Sequence, residues 1–315
     1  MTGGMVNRVP SDFTGSDLLR EDGRPRPTFR AELRKIDNTR NALTVASVLL
    51  TPVLTVWLVG AIGQWWAVIA GFVAMALVQT RMYILHHEGA HRLLFSNRMI
   101  NDLIGINLLG WLAFGTGTHH YRRGHANHHR DEFGPNEPDF LLYAFYPIAA
   151  QSFRRKLRRD ITGVSAYRSM KSRLSGFLTN DLRGLSLRFY LGQALVLGLF
   201  VLAGQPWLYL LIWMLPYLTW YQVQNRLRSI AEHGGMTRSK DRRHTTHHVE
   251  QRPIARFLIA PYNVGYHLAH HVDSGVPFRN LPKLHRALRD AGYFDTASQW
   301  PNYPTLWKAL IKGDA

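Results

Sequence analysis

Three runs of histidine carry the spacing of metal ligands: His86-His87-Glu88-Gly89-Ala90-His91, His125-Ala126-Asn127-His128-His129 and His267-Leu268-Ala269-His270-His271. Residues three and four apart share a helix face. His87 with His91, His125 with His128 and His129, and His267 with His270 and His271 are therefore each expected to present imidazoles to one point. Neutral imidazole is a good ligand for iron and zinc. A lone histidine is as readily a surface or hydrogen-bonded residue. Two copies of His-x-x-His-His beside one His-x-x-x-His are instead the pattern of a shared metal centre. The chain has no cysteine, which excludes disulfides, thiolate ligands and iron–sulfur ligation by its own residues. His87 to His91 also satisfies His-Glu-x-x-His, the zinc metalloprotease motif with Glu88 as general base. That reading needs only one further ligand and leaves both His-x-x-His-His runs without a purpose.

Something must position these runs. Asn41 to Leu85 and Phe189 to Val223 are apolar blocks containing a single charged residue, Arg81. About 20 apolar residues cross a bilayer core of about 30 Å, so each block is expected to hold two passes. Gly60, Gly63 and Gln64 break the first block, and Gly204, Gln205 and Pro206 the second. The expected passes are 43–61, 65–85, 189–203 and 207–224. The fold class is all-α: an integral membrane protein with four transmembrane helices and a cytosolic helical cap that holds the metal site. Residues 1–40 are expected to form a polar, mobile arm with an amphipathic entry helix near 31–41, residues 41–290 the membrane domain, and 291–315 a C-terminal tail. Ile100 to Phe114 is apolar but too short to span, which suits a re-entrant or interfacial helix. Arg154 to Arg188 is basic and is read as facing solvent or lipid headgroups.

The net charge of +17 would suggest nucleic acid in a soluble protein, but topology accounts for it. Neither short turn carries any of the 38 Lys and Arg residues. By the positive-inside rule both termini and the middle segment are cytosolic, with no nucleic-acid partner required. Trp65-Trp66, Trp213 and Trp220-Tyr221 suit the two membrane interfaces. The polar N-terminus lacks a signal-peptide core, so insertion is expected from the first pass.

The runs HEGAHRLLF (His87 to Phe95), YRRGHANHH (Tyr121 to His129) leading to EPDF (Glu137 to Phe140), and YHLAHH (Tyr266 to His271) followed by VPFRNLPKLH (Val276 to His285) resemble the three histidine boxes of the membrane fatty acid desaturase and hydroxylase superfamily. The likeness runs in order from about residue 40 to 290. RSIAEHGG (Arg228 to Gly235) adds His233, matching an isolated ligand after the fourth pass. The resemblance implies two iron ions held by nine imidazoles: His87, His91, His125, His128, His129, His233, His267, His270 and His271. Glu88, Asp139 and Glu232 are the acids expected to orient them through the outer ring N–H. Ser229 stands where some relatives carry an asparagine; Asn263 is a possible substitute, is read as not taking that role, and is counted among the surrounding residues. Arg243 to His248 contains a fourth His-x-x-His-His. The family places its third box nearer the LPKLH run, so His247 and His248 are read as neighbours of the site, and the role of His244 stays open. His119 and His120 are read as structural or neighbouring residues.

The resemblance also implies the chemistry. An unactivated methylene yields to no acid or base, so its oxidation needs a cofactor that generates a hydrogen-atom abstractor. Two irons with dioxygen as co-substrate would serve an acyl-lipid desaturase. Hydroxylation of a fatty, alkane, sterol or carotenoid substrate is the second reading, and fatty acid decarboxylation the third. No haem or iron–sulfur domain is fused to the chain, so electrons are expected from a separate donor such as ferredoxin and its reductase. The length and lack of appended domains point to a bacterial inner membrane. A metal transporter would place ionisable residues within the passes, which are nearly free of them.

Overall fold

The computed structural model describes residues 12–295 and 299–312, so the first eleven residues of the expected arm and 296–298 and 313–315 of the expected tail lie outside the described residues. The chain divides into two units. One holds the described residues up to Ile36, Arg122–Arg154 and those from Asn225 onward; the other holds Asp37–Tyr121 and Arg155–Gln224.

In the second of these, Asn38–Ile62 starts where the Asp37 carboxylate accepts from the Arg40 N–H at 3.0 Å. It stops at Gly63, whose φ of +65° reverses the chain at little steric cost. Trp65–Ala90 then runs back alongside it. Asn180–Leu202 is the third long helix. These three are the helices, among the described residues, long and apolar enough to cross a membrane. Only 17% of the apolar window of Asn38–Ile62 is buried, and Leu50, Val53, Leu54 and Trp57 stand exposed along it. Water would penalise so large an apolar face, whereas lipid would not.

The segment expected as a pass at 207–224 is helical but divided: Pro206–Leu208, a π-helical Tyr209–Met214, Leu215–Leu218, then Trp220–His233. Pro216 lies inside it and has no N–H to give the preceding turn, a standard cause of such breaks. Polar groups within this apolar unit are satisfied across helices. The Gln79 amide donates to the Trp213 carbonyl at 2.7 Å, the Trp213 indole to Gln193 at 3.2 Å, and the Gln193 amide to the Trp111 carbonyl at 3.2 Å.

The stretch expected as a short re-entrant or interfacial helix is Arg98–Asn101, a π-helical Asp102–Leu108 and Leu109–Leu112. It crosses the end of Trp65–Ala90 at glycines: a Cβ on Gly89 would lie 2.7 Å from the Gly105 Cα. Asn101 then closes that helix end, donating to the Gly89 carbonyl at 2.9 Å and accepting from the Leu94 and Phe95 amides.

The other unit is built from short helices: Pro27–Leu33, His120–Arg130, the end of Trp220–His233, Pro253–Leu258, His267–Val272, Leu281–Asp290 and Tyr303–Ala309. Ile148–Ala149 pairs with Ile311–Lys312 in parallel, a small departure from an all-α fold. The described part of the arm is packed within its unit. Leu19 is fully buried, and Phe29 and Leu33 are buried too. Arg30 bonds the buried Asp273 at 2.6 Å, two residues past His271, and Asn280 donates to the Leu33 carbonyl at 2.7 Å. The entry helix expected near 31–41 is two elements instead. Proline at the start of Pro27–Leu33 and the Asp37 cap of the next helix put the boundaries on either side of Arg34–Asp37.

Candidate metal centre

The His-x-x-His-His runs each lie on a helix, but each divides its imidazoles between two clusters instead of aiming them at one point. The Nε2 of His129 lies 3.1 Å from that of His125 and 3.1 Å from that of His270. His128, His233, His267 and His271 form a second group, one ring nitrogen from each lying within 4.8 Å of the others. Helical geometry gives the reason. At about 100° per residue, positions i and i+4 differ by about 40°, whereas i+3 falls about 60° to the other side. His125 and His129 therefore pair off and His128 turns away; His267 and His271 pair off and His270 turns away.

Hydrogen bonds fix the tautomers in the second group. His233 donates Nδ1–H to the Thr245 carbonyl at 2.9 Å, and the His271 Nδ1–H is taken by Glu132. Burial pushes the pKa values of His233, His267 and His271 well below the ordinary histidine value, so these rings are neutral near pH 7. The Nε2 atoms of His233 and His271 thus carry lone pairs only. Both face the Nε2 of His267, at 3.1 and 3.0 Å. A single hydrogen on His267 could serve one of these contacts and would leave lone pairs opposed in the other. A cation shared by all three satisfies every ring. Imidazole nitrogens about 2.1 Å from one ion and at right angles sit about 3.0 Å apart, so the spacing fits a metal.

Carboxylates complete the orientation. His128 Nδ1 lies 2.9 Å from both oxygens of the buried Glu137, one of which also accepts from the Asp139 N–H at 3.0 Å. Burial opposes charge on His128, but the Glu137 carboxylate outweighs it and raises its pKa. Burial raises the pKa of Glu132, with Arg242 and its 2.6 Å bond working against it. Asp139 and Glu232 are likewise raised by burial. Glu232 stands 3.6 Å from His267 Nδ1 and bonds Arg228 at 3.1 Å.

In the other unit, His87 is buried on the last turn of Trp65–Ala90 and His91 is the residue that ends it, with ring centroids 4.7 Å apart. Glu88 is buried beside them, and His86 Nδ1 bonds the Gly105 carbonyl at 2.7 Å. Asn263, with φ of +62°, donates to the Phe278 carbonyl at 3.2 Å. His247 has both nitrogens engaged: Nε2–H donates to the Gly234 carbonyl at 2.7 Å and Nδ1 accepts from the Trp300 indole at 3.2 Å. That occupation agrees with its reading as a non-ligand. His248 is buried against Phe294 and near His285. His119 is half-exposed, 3.8 Å from Asp102. Sequence reasoning missed Glu132, Glu137 and the Thr245 carbonyl. Glu137 opens the EPDF run, and that was its available signal. Glu132 follows His129 by three residues, a weaker one.

Comparison with known proteins agrees with the site. The chain is 26% identical over 259 residues, covering 75% of it and 72% of the other protein, to dihydrorhizobitoxine desaturase of Bradyrhizobium elkanii. Residues 63–303, which contain all three histidine runs and His233, match the fatty acid desaturase family. With convergent histidine clusters able to hold metal and three helices able to cross a membrane, the chain belongs to the fatty acid desaturase family.

Proposed function

We propose that the protein is an oxygen-dependent desaturase that removes two hydrogens from adjacent methylenes of an acyl lipid at a di-iron centre. The observation that carries this reading is the meeting of His233, His267 and His271 at Nε2 separations of 3.0–3.1 Å, with the outer N–H of His233 and His271 already committed. The proposed ligands are His128, His233, His267 and His271 for one iron, His125, His129 and His270 for the other, and His87 and His91 to complete the set of nine. His87 and His91 are assigned from the order of the boxes in the sequence. Iron with dioxygen and two electrons would supply an oxidant able to take hydrogen from an unactivated methylene. Glu137 and Glu132 hold His128 and His271 by their outer nitrogens, which fixes ring rotation and raises ligand basicity.

The proposed setting is a bacterial inner membrane crossed four times, the last through the divided segment 207–224, with both termini and the centre cytosolic. Electrons would come from a separate protein such as ferredoxin with its reductase. The named relative supports desaturation over hydroxylation; its name specifies dihydrorhizobitoxine, so a substrate screen includes that compound beside acyl lipids.

The test is metal content in detergent-purified protein, with His128→Ala and His270→Ala alongside, followed by product analysis with a reductant and oxygen. About two irons per chain, depleted in both variants, together with an alkene product, is the expected result. One zinc per chain that survives both changes and is lost with His87→Ala would overturn it in favour of metalloprotease chemistry.

A further inference from the structure

In the unit that carries the second and third boxes, a cavity of about 640 Å³ is bounded by Arg24, Arg130, Arg238, Lys240 and Arg242. Three carboxylates, Asp22, Asp131 and Glu132, share its wall. Its floor is one residue from ligands of both histidine clusters. Arg242 donates to the His129 carbonyl at 2.8 Å and to Glu132 at 2.6 Å, and Glu132 holds the His271 ring. Arg24, Arg130, Arg238 and Lys240 stand exposed around it.

We infer that this cavity is the docking surface for an acidic one-electron carrier protein, with Arg242 and Glu132 the last residues between that carrier and His129 and His271. The inference rests on the desaturase reading for its need of electrons. Forming the alkene removes two protons and two electrons from the alkyl chain. Reducing dioxygen to two waters takes four electrons and four protons, so two electrons and two protons must come from outside. The chain holds no cysteine for an iron–sulfur carrier of its own. The charge arrangement favours a protein over a small anion. Arg24, Arg238 and Arg242 already face Asp22, Asp131 and Glu132 at 3.7, 2.6 and 2.6 Å, so the cations form no convergent clamp. What remains is an excess of positive charge around a rim, and such a field steers a large acidic partner and sets its orientation.

The experiment uses the iron-loaded full chain in detergent and an acidic [2Fe–2S] ferredoxin as probe. The dissociation constant is measured at about 20 and about 200 mM salt, across which screening strengthens markedly. Arg24→Glu combined with Lys240→Glu should weaken ferredoxin binding at least tenfold at low salt and flatten the salt dependence. Reduction of the centre by ferredoxin should slow in proportion, while iron content and photoreduction by uncharged deazaflavin stay at the parent level. Arg168→Glu, at an exposed arginine that does not line the cavity, should leave binding within twofold. Unchanged ferredoxin affinity in the double variant, or an equal loss in Arg168→Glu, overturns the assignment. Failure of the desaturase reading would look different: the parent itself would hold no reducible iron and form no alkene with any reductant, whatever the affinity for ferredoxin.

Discussion

Glu137→Gln isolates the contribution of one carboxylate to one metal. Glu137 is fully buried at its side chain and lies 2.9 Å through both oxygens from His128 Nδ1. The glutamine keeps size and one acceptor, so the Asp139 N–H retains a partner, but the charge that makes His128 a basic, fixed ligand is gone. Loss of such a supporting group typically weakens metal binding by about 10–100-fold, which is about 1.4–2.7 kcal/mol. Two effects act in opposite directions. The same carboxylate raises the His128 pKa in the metal-free protein, so below that raised value a proton competes with metal, and metal uptake releases it. Parent affinity should therefore rise with pH until His128 is neutral, by up to tenfold per pH unit for one proton. Glu137→Gln should bind more weakly at alkaline pH and show a shallower slope below neutrality. Chelator competition with ferrous iron, titrated at several pH values, reads both quantities. Only the metal held by the His128 cluster should weaken, because His125, His129 and His270 make no use of Glu137. Parent affinity with the parent pH slope, or equal loss of both metals, would refute the orientation argument.

Two further outcomes follow from packing and burial. Gly89→Ala puts a methyl 2.7 Å from the Gly105 Cα; overpacking of this kind costs about 1–3 kcal/mol, so the melting temperature in detergent should fall, and an unchanged value would show that the crossing is looser than described. His248 and His285 are buried with pKa values pushed down to about 3 and about 4, chiefly by burial. Between the ordinary value near 6.5 and these values the unfolded chain binds protons that the folded chain does not, so the stability is full above pH 6.5 and falls with acid. At pH 5 the loss is about 2 kcal/mol for each ring. His248→Phe should flatten the decline of melting temperature between pH 6.5 and 5, and a decline of parent steepness would refute it.

The sequence made the histidine-bearing helices legible, because His-x-x-His-His on a helix and an apolar run nearly free of charge are both local signals. His125, His128 and His129 fall on the helix His120–Arg130, and the first two apolar runs on Asn38–Ile62 and Trp65–Ala90. What it hid depends on distant contacts. Glu132 is 139 residues from the His271 it orients, and nothing in its own neighbourhood distinguishes it from Asp131. The packing of residues 12–36 was hidden for the same reason: their composition is polar, and the partners that hold them, Asp273, Asn280 and Tyr293, lie near the other end of the chain. Pro216 was visible, but a proline in an apolar run kinks or divides a helix according to what packs against it.

The division of each box has a structural consequence that spacing alone conceals. A His-x-x-x-His pair can serve one metal only, and two helices each serving one metal could slide past each other without changing either site. Here the helix His120–Arg130 gives two imidazoles to one cluster and one to the other, and His267–Val272 does the reverse. Any sliding or rotation of one helix against the other must therefore disturb both clusters at once. On the proposed ligand assignment, the third histidine of each box would set the separation of the clusters as well as add a ligand. A reaction in which two metals must act on one oxygen molecule needs that separation held closely, since geometric errors of about 1 Å can cost two orders of magnitude in rate. Exchanging His128 or His270 for a non-ligating residue should therefore disturb more than the cluster it belongs to, because each is the sole imidazole its helix gives that cluster.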